Sequence, residues 1–237
     1  MRALVHHLPI ATTLVAGIFA AIVLQRYRER RSGPHLLWWG IGLILYGVGT
    51  LTESLTTLFG WNEWVFRAWY ITGALCGGAP LAQGSAYLLV RRRVANVLAT
   101  VLITVISGAA ILVLLSPIDY STVEGVRLSG RALAWQNVRL ISPFINTYAA
   151  LFLIGGAIYS AARYRSVPAK RHKYVGNVLI AIGAILPGIG GTFTRFGYVE
   201  VLYVTELIGL LLIFAGYREN VRESRNEPLG LVNPQTA

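Results

Sequence analysis

Charge is bunched in this chain, and the bunching constrains its fold more than any motif does. Several windows of about twenty residues hold no charged side chain, or a single one close to an end. A soluble domain spreads charge over its surface and carries roughly 25% Asp, Glu, Lys and Arg. Here the share is 13%, while 55% of the residues are apolar. The expected fold class is therefore an all-α integral membrane protein. A chain of 237 residues holds at most about seven or eight spans of ~20 residues plus loops, which leaves no room for a separate soluble enzyme or kinase domain.

Reading for uncharged apolar stretches places seven helices at about 5–25, 35–59, 66–90, 94–115, 140–162, 174–195 and 198–217. Arg2 is the only charge before the first of them, whereas Arg26, Arg28, Arg30 and Arg31 follow it. That asymmetry predicts a retained span with its N-terminus outside, not a cleaved signal. Seven spans in this sense put the first, third and fifth loops and the tail in the cytoplasm, where 15 of the 21 Lys and Arg residues fall. The formal charge of +11 is thus read as an orientation signal of a multi-pass protein of the inner (cytoplasmic) membrane, with no nucleic-acid partner.

Aromatic residues agree with this topology. Phe59, Trp61, Trp64, Phe66, Trp69 and Tyr70 crowd the second loop, and Phe193, Phe196, Tyr198 and Tyr203 the sixth. Rings of this kind favour the bilayer boundary. The long fourth loop, about 116–138, leaves room for a short amphipathic helix or a hairpin over the outer face. Residues 1–217 form the membrane domain, and 218–237 a polar cytoplasmic tail expected to be disordered toward its end. The single Cys76 excludes an intrachain disulfide and reads as a small buried apolar residue.

A shift of 137 residues lays Arg26-Tyr27-Arg28 on Arg163-Tyr164-Arg165, His35 on His172, Phe59-Gly60 on Phe196-Gly197 and Glu63 on Glu200. This offset predicts parallel repeats of three helices each, joined by the fourth helix as a linker (3+1+3), with a binding site expected between the triplets.

Ionisable groups inside spans cost about 2.5–3.5 kcal/mol each near the bilayer centre on insertion scales, so each needs a reason. Glu206 is expected roughly 10–12 Å below the outer end of its helix, and Glu53 roughly 9–10 Å below the outer end of the second, among several threonines. Arg67 and Arg195 lie at similar or shallower depth, so that ion pairs with these carboxylates or snorkelling to the interface are the two expectations. Together with Trp69 and Tyr203, these four residues make the candidate ligand site. Two helix breaks are expected beside it: Pro80 after Gly77-Gly78, and Pro187-Gly188 followed by Gly190-Gly191. Proline removes a backbone donor, and a carbonyl freed at mid-depth can line a polar site.

Several chemistries lack their residues. The only lysines, Lys170 and Lys173, fall in a predicted loop, so a retinal Schiff base inside the last helix is excluded. Opposed histidines for haem could involve only His35 and His172 at the inner boundary. Metalloprotease spacing and a P-loop lysine are both missing. The reading is accordingly of a non-enzyme without a cofactor.

The run Leu51-Thr52-Glu53-Ser54-Leu55, then Phe66-Arg67-Ala68-Trp69-Tyr70, then Gly73 and Pro80 resembles the amino-terminal seven-helix sensory region of some bacterial histidine kinases. The resemblance covers about fifty residues. It implies a seven-helix bundle with an outside N-terminus. No kinase or cyclase region follows the seventh helix in these 237 residues, so a membrane or cytoplasmic signalling partner is implied for output.

The leading expectation is a binding or sensory module with an outward-facing polar–aromatic pocket for a small amphiphile, lipid or quinone-like ligand. A small-solute transporter of 3+1+3 type is the alternative, although the Pro-Gln signature of the sugar transporters built that way is missing, since Pro9 and Pro143 precede Ile10 and Phe144. A non-catalytic structural subunit of a membrane complex is the third.

Overall fold

An apolar segment in hydrocarbon has to satisfy its own backbone groups, which a helix does within one stretch of chain. The computed structural model, which describes residues 5–30, 33–123, 125, 127–194 and 196–222, is built almost wholly this way. We number the helices α1 Leu8–Arg30, α2 Pro34–Phe59, α3 Glu63–Trp69, α4 Ala79–Leu89, α5 Arg92–Leu115, α6 Ile141–Ala149, α7 Gly156–Tyr164, α8 Arg171–Thr194 and α9 Val199–Arg222. A π-helical turn, Ala150–Gly155, joins α6 to α7 as one rod. Among the described residues, six helices are long and apolar enough to cross a membrane.

Their outward faces are apolar. Ile10, Leu14, Ile18 and Ile22 form an exposed stripe along α1, and Val94, Val97, Val101, Val105, Ile111 and Leu115 are exposed on α5. A soluble monomer rarely exposes contiguous apolar patches beyond a few hundred Å². Such faces suit a lipid solvent, and the chain is a multi-pass membrane protein. Inside, one cluster gathers Phe66, Tyr70, Leu102, Val113, Leu133 and Ile145. A second joins α1, α2, α4 and α9 through Phe19, Val23, Leu43, Leu81, Leu210 and Tyr217.

The boundaries depart from the apolar windows in instructive places. Helix α1 continues through the basic run to Arg30, because arginines are good helix formers and suit a C-terminal turn. The third expected helix, 66–90, starts earlier and is interrupted. Asn62 caps α3 by accepting from the backbone N–H of Trp64 (2.9 Å) and Val65 (3.3 Å). A π-helical turn, Tyr70–Leu75, follows. The chain bends at 76–78, and α4 starts with Pro80 in its first turn. Proline needs no donor there, so the expected break is real and is a fresh helix start. The wide turn brings Gly73 against Gly49 of α2, where an added Cβ would sit 3.3 Å from the Gly73 Cα.

Pro187 behaves differently. Helix α8 runs unbroken from Arg171 to Thr194 with Pro187 inside it, so the expected opening at Pro187-Gly188 does not occur. The reason lies across the interface. Gly209 of α9 presents no side chain there, and a Cβ on it would lie 3.0 Å from the Pro187 ring and 2.6 Å from the Gly183 carbonyl oxygen. That carbonyl is the one Pro187 leaves without its helical donor.

Gly183 and Gly209 belong to a longer seam. Gly176, Gly183 and Gly190 of α8 recur every seven residues and oppose Gly216, Gly209 and Leu202 of α9, also seven apart. A Cβ on Gly176 would meet the Gly216 carbonyl at 2.7 Å, and one on Gly190 would meet the Leu202 Cα at 2.7 Å. Small residues let backbones touch, and in lipid such contact drives helix association. Helices α8 and α9 form the most extensive pairing in the bundle.

The described part of the long fourth loop is made of short 3-10 turns pinned by one antiparallel bridge, Ile118 to Leu133: Asp119 N–H donates to the Ala132 carbonyl (2.8 Å) and Ala134 N–H to the Pro117 carbonyl (2.9 Å). Beyond Arg222 the expected polar tail lies outside the described residues, as does Arg195.

Gly209→Val forces a branched side chain onto a backbone oxygen and should destabilise the protein by at least ~1–3 kcal/mol, as overpacking does. Gly17→Ala, where nothing lies within 4 Å, should be neutral or slightly stabilising. Thermal unfolding in detergent reads both. Equal midpoints for the two variants would remove the seam from the account.

Candidate functional site

Helix α2 carries an unusual polar stretch, and most of it satisfies itself. Thr50, Thr52, Ser54 and Thr56 are buried, and their hydroxyls donate to carbonyls one turn back, those of Gly47 (3.1 Å), Gly49 (2.6 Å), Thr50 (2.9 Å) and Thr52 (2.9 Å). None of these donors is left for Glu53, which is 4% exposed.

Glu53 finds two partners elsewhere. The Trp69 indole N–H donates to its Oε1 at 3.1 Å. The π-turn beyond Trp69 holds Gly73 beneath the ring, where a Cβ would come within 3.6 Å of the indole nitrogen. The second group is the Glu206 carboxyl of α9, near enough to that of Glu53 for the two to interact. A hydrogen bond between two carboxyl groups needs a proton on one of them. Without that proton, Glu53 Oε2 and Glu206 Oε2 are enclosed with no donor at all.

The meeting follows from geometry. Glu53 is six residues before the end of α2 and Glu206 seven after the start of α9, which places both roughly 10 Å along their helices from the same end of the bundle. Tyrosines complete the surroundings. The Tyr46 hydroxyl donates to the Glu206 backbone carbonyl at 3.2 Å. Tyr203 is buried, its ring edge-on to His6 at 5.9 Å. His6 in turn lies 3.8 Å from Glu200.

Arg67 is not part of this group, and the expectation that it pairs with Glu53 or Glu206, or snorkels, is corrected by its bonds. It is 5% exposed and donates to Glu63 Oε1 through Nη2 (2.7 Å) and Nε (3.0 Å). It also donates to the carbonyls of Val113, Leu114 (3.0 Å) and Ser116 (2.9 Å) at the end of α5. A guanidinium fork suits the unpaired carbonyls that end a helix. Arg127 does the same for α8, donating to the Thr194 carbonyl at 2.6 Å. Glu63 also accepts from the Tyr120 hydroxyl at 2.7 Å, and this bond pushes the phenol above its ordinary pKa.

Of the expected residues, then, Glu53, Trp69, Tyr203 and Glu206 come together, Arg67 serves α5, and Arg195 lies outside the described residues. Pro80 shapes the route by which Trp69 reaches Glu53, while Pro187 belongs to the α8–α9 seam and Gly188 is exposed, with nothing within 4 Å of where its Cβ would be. The sequence reading missed Tyr46, although Tyr46, Thr50 and Glu53 sit on one face of α2 at helical spacing. The cleft lined by Arg26, His35 and Tyr217 and the one lined by Thr122, Arg127 and Arg131 both lie away from the carboxyl pair.

Arg67→Met removes charge-assisted bonds worth ~1.5–3 kcal/mol each and should lower stability by roughly 3 kcal/mol, with Arg67→Lys recovering only part because it lacks the fork. Thermal or denaturant unfolding in detergent measures this, and a Lys variant as stable as wild type would count against the helix-end role.

No protein-family model, curated protein or solved structure matches this chain.

Proposed function

We propose that the protein is a membrane-embedded binding or sensory module whose recognition element is the Glu53–Glu206 pair, with Trp69, Tyr203 and Tyr46 as its aromatic frame. One observation carries this reading: two carboxyl groups face each other inside the bundle, and one oxygen of each has no donor unless a proton is shared. A buried acceptor without a donor costs ~1–3 kcal/mol, so a ligand hydroxyl or amine that supplies one is favoured. With its shared proton the pair can also donate to a carbonyl. Both capacities suit a small amphiphile, a lipid or a quinone-like molecule. Glu206 keeps part of its surface uncovered, which suits lateral entry of a membrane-dissolved ligand.

The topology that goes with this reading has seven spans, the interrupted segment 63–89 being the third, with the N-terminus outside and the tail in the cytoplasm of a cell with an inner membrane. The order of packing supports a 3+1+3 arrangement. Helix α2 packs on α1 and on α4, as α8 packs on α7 and on α9. The offset of 137 carries the start of α2 onto that of α8, and the start of α3 to within a residue of that of α9. A transporter of this arrangement is the second reading, favoured by the bend at 76–78 within the third segment. Output of a sensor would pass to a membrane or cytoplasmic partner.

Glu206→Gln is isosteric with a protonated pair and should stay folded, its amide donating to Glu53. In a thermal-shift screen of reconstituted protein against quinone analogues and amphiphilic amines, at least one compound should raise the midpoint of wild type by several degrees and leave Glu206→Gln unmoved. Equal shifts in both would sink the pocket. Solute flux in proteoliposomes, at rates above those of empty vesicles, would move the assignment to transport.

A further inference from the structure

At the opposite end of α2 and α9 from the carboxyl pair, five helices leave a half-open cleft of about 220 Å³. Arg26 and Arg30 come from the last turns of α1, His35 and Trp39 from the first turns of α2, and Tyr217 and Asn220 from the end of α9. The cleft exceeds the roughly 150 Å³ cavity that holds a benzene molecule, so a headgroup fragment fits.

The lining has a definite chemistry. Trp39 is spoken for, its indole N–H donating to the Leu81 carbonyl at 3.1 Å, and its ring meets His35 at 5.8 Å and Tyr217 at 6.1 Å edge-on. These rings make a rigid wall. Tyr217 is 4% exposed, yet its hydroxyl is enclosed without a hydrogen-bond partner. Two guanidinium groups, a phenolic O–H and the Asn220 amide therefore converge on one space, and all can donate. Among the described residues no Asp or Glu side chain lines it, Glu29 beside Arg26 standing outside the lining. Guanidinium forks match phosphate oxygens in pairs.

We propose that this cleft binds the phosphate of an anionic phospholipid headgroup, held by Arg26 and Arg30 with Tyr217 donating the inner hydrogen bond. A lipid is favoured over a soluble phosphate ester because the cleft opens at helix ends, beside exposed apolar residues such as Leu88 on α4. Basic pockets between spans at headgroup level are the arrangement that acidic lipids recognise. The site is independent of the carboxyl pair, standing roughly 27 Å from it along α2 at eighteen residues' separation.

The test uses full-length protein in nanodiscs of phosphatidylcholine, with and without phosphatidylglycerol or cardiolipin, read by native mass spectrometry and by unfolding midpoint. Wild type should retain a bound anionic lipid in preference to phosphatidylcholine and unfold at a higher temperature in its presence. Tyr217→Phe should weaken retention about tenfold, and Arg26→Gln with Arg30→Gln should abolish the preference. Arg28→Gln, an exposed arginine outside the cleft, should leave it intact, which separates a built site from general attraction to a basic surface. Loss of preference in Arg28→Gln equal to that in the cleft variants would overturn the proposal. So would retention by Tyr217→Phe at the wild-type level. If glycerol phosphate or inorganic phosphate in phosphatidylcholine discs raises the midpoint as the lipids do, the ligand is a soluble phosphate and the lipid assignment fails.

Discussion

Backbone contact between α8 and α9 is the constraint from which the rest of the arrangement follows. Helices in hydrocarbon gain nothing from hiding apolar surface, so close van der Waals contact has to fix their rotation and height. Glycines seven residues apart on α8 do this by seating against Leu202, Gly209 and Gly216. With that face of α9 committed, a second one carrying Tyr203, Glu206, Leu210 and Tyr217, at spacings of three, four and seven residues, turns toward α1 and α2. The carboxyl of Glu206 reaches Glu53 because the seam leaves α9 no freedom to slide or rotate.

Expensive polar groups are correspondingly confined. Threonines and serines along α2 return their hydroxyls to their own helix. Arg67, which in isolation would be costly to bury, closes the carbonyl end of α5 and is balanced by Glu63. The carboxyl pair and the enclosed hydroxyl of Tyr217 stand apart from this economy. They lie at opposite ends of the same two helices.

Much of this architecture was legible in the chain because hydropathy and helical rise are local quantities. The depths of Glu53 and Glu206 followed from counting residues to helix ends, and they proved equal enough to meet. Beyond Glu63 one turn away, the partners of Arg67 were not legible, since its carbonyl acceptors are 46–49 residues away and no local pattern announces a helix-end carbonyl as a partner. The two prolines looked alike in sequence and differ in structure. Pro80 follows glycines in a bend and begins a helix, whereas Pro187 is accommodated because a residue without a side chain stands opposite on another helix. The seven-residue glycine spacing was present in the sequence, but its meaning required knowing which helices are neighbours.

The seam also bears on biosynthesis. Helices α8 and α9 are the last described elements to leave the ribosome, and only Phe196, Gly197 and Tyr198 of the described residues separate them, so they can enter the bilayer as a preformed hairpin. Glu206 would then cross the insertion machinery shielded on one flank by its partner helix, and its exposure to lipid would shrink to the part it keeps in the bundle only when the hairpin docks against the segments already in place. Docking of the hairpin is in this way tied to covering Glu206, an acidic group inside the apolar stretch of α9.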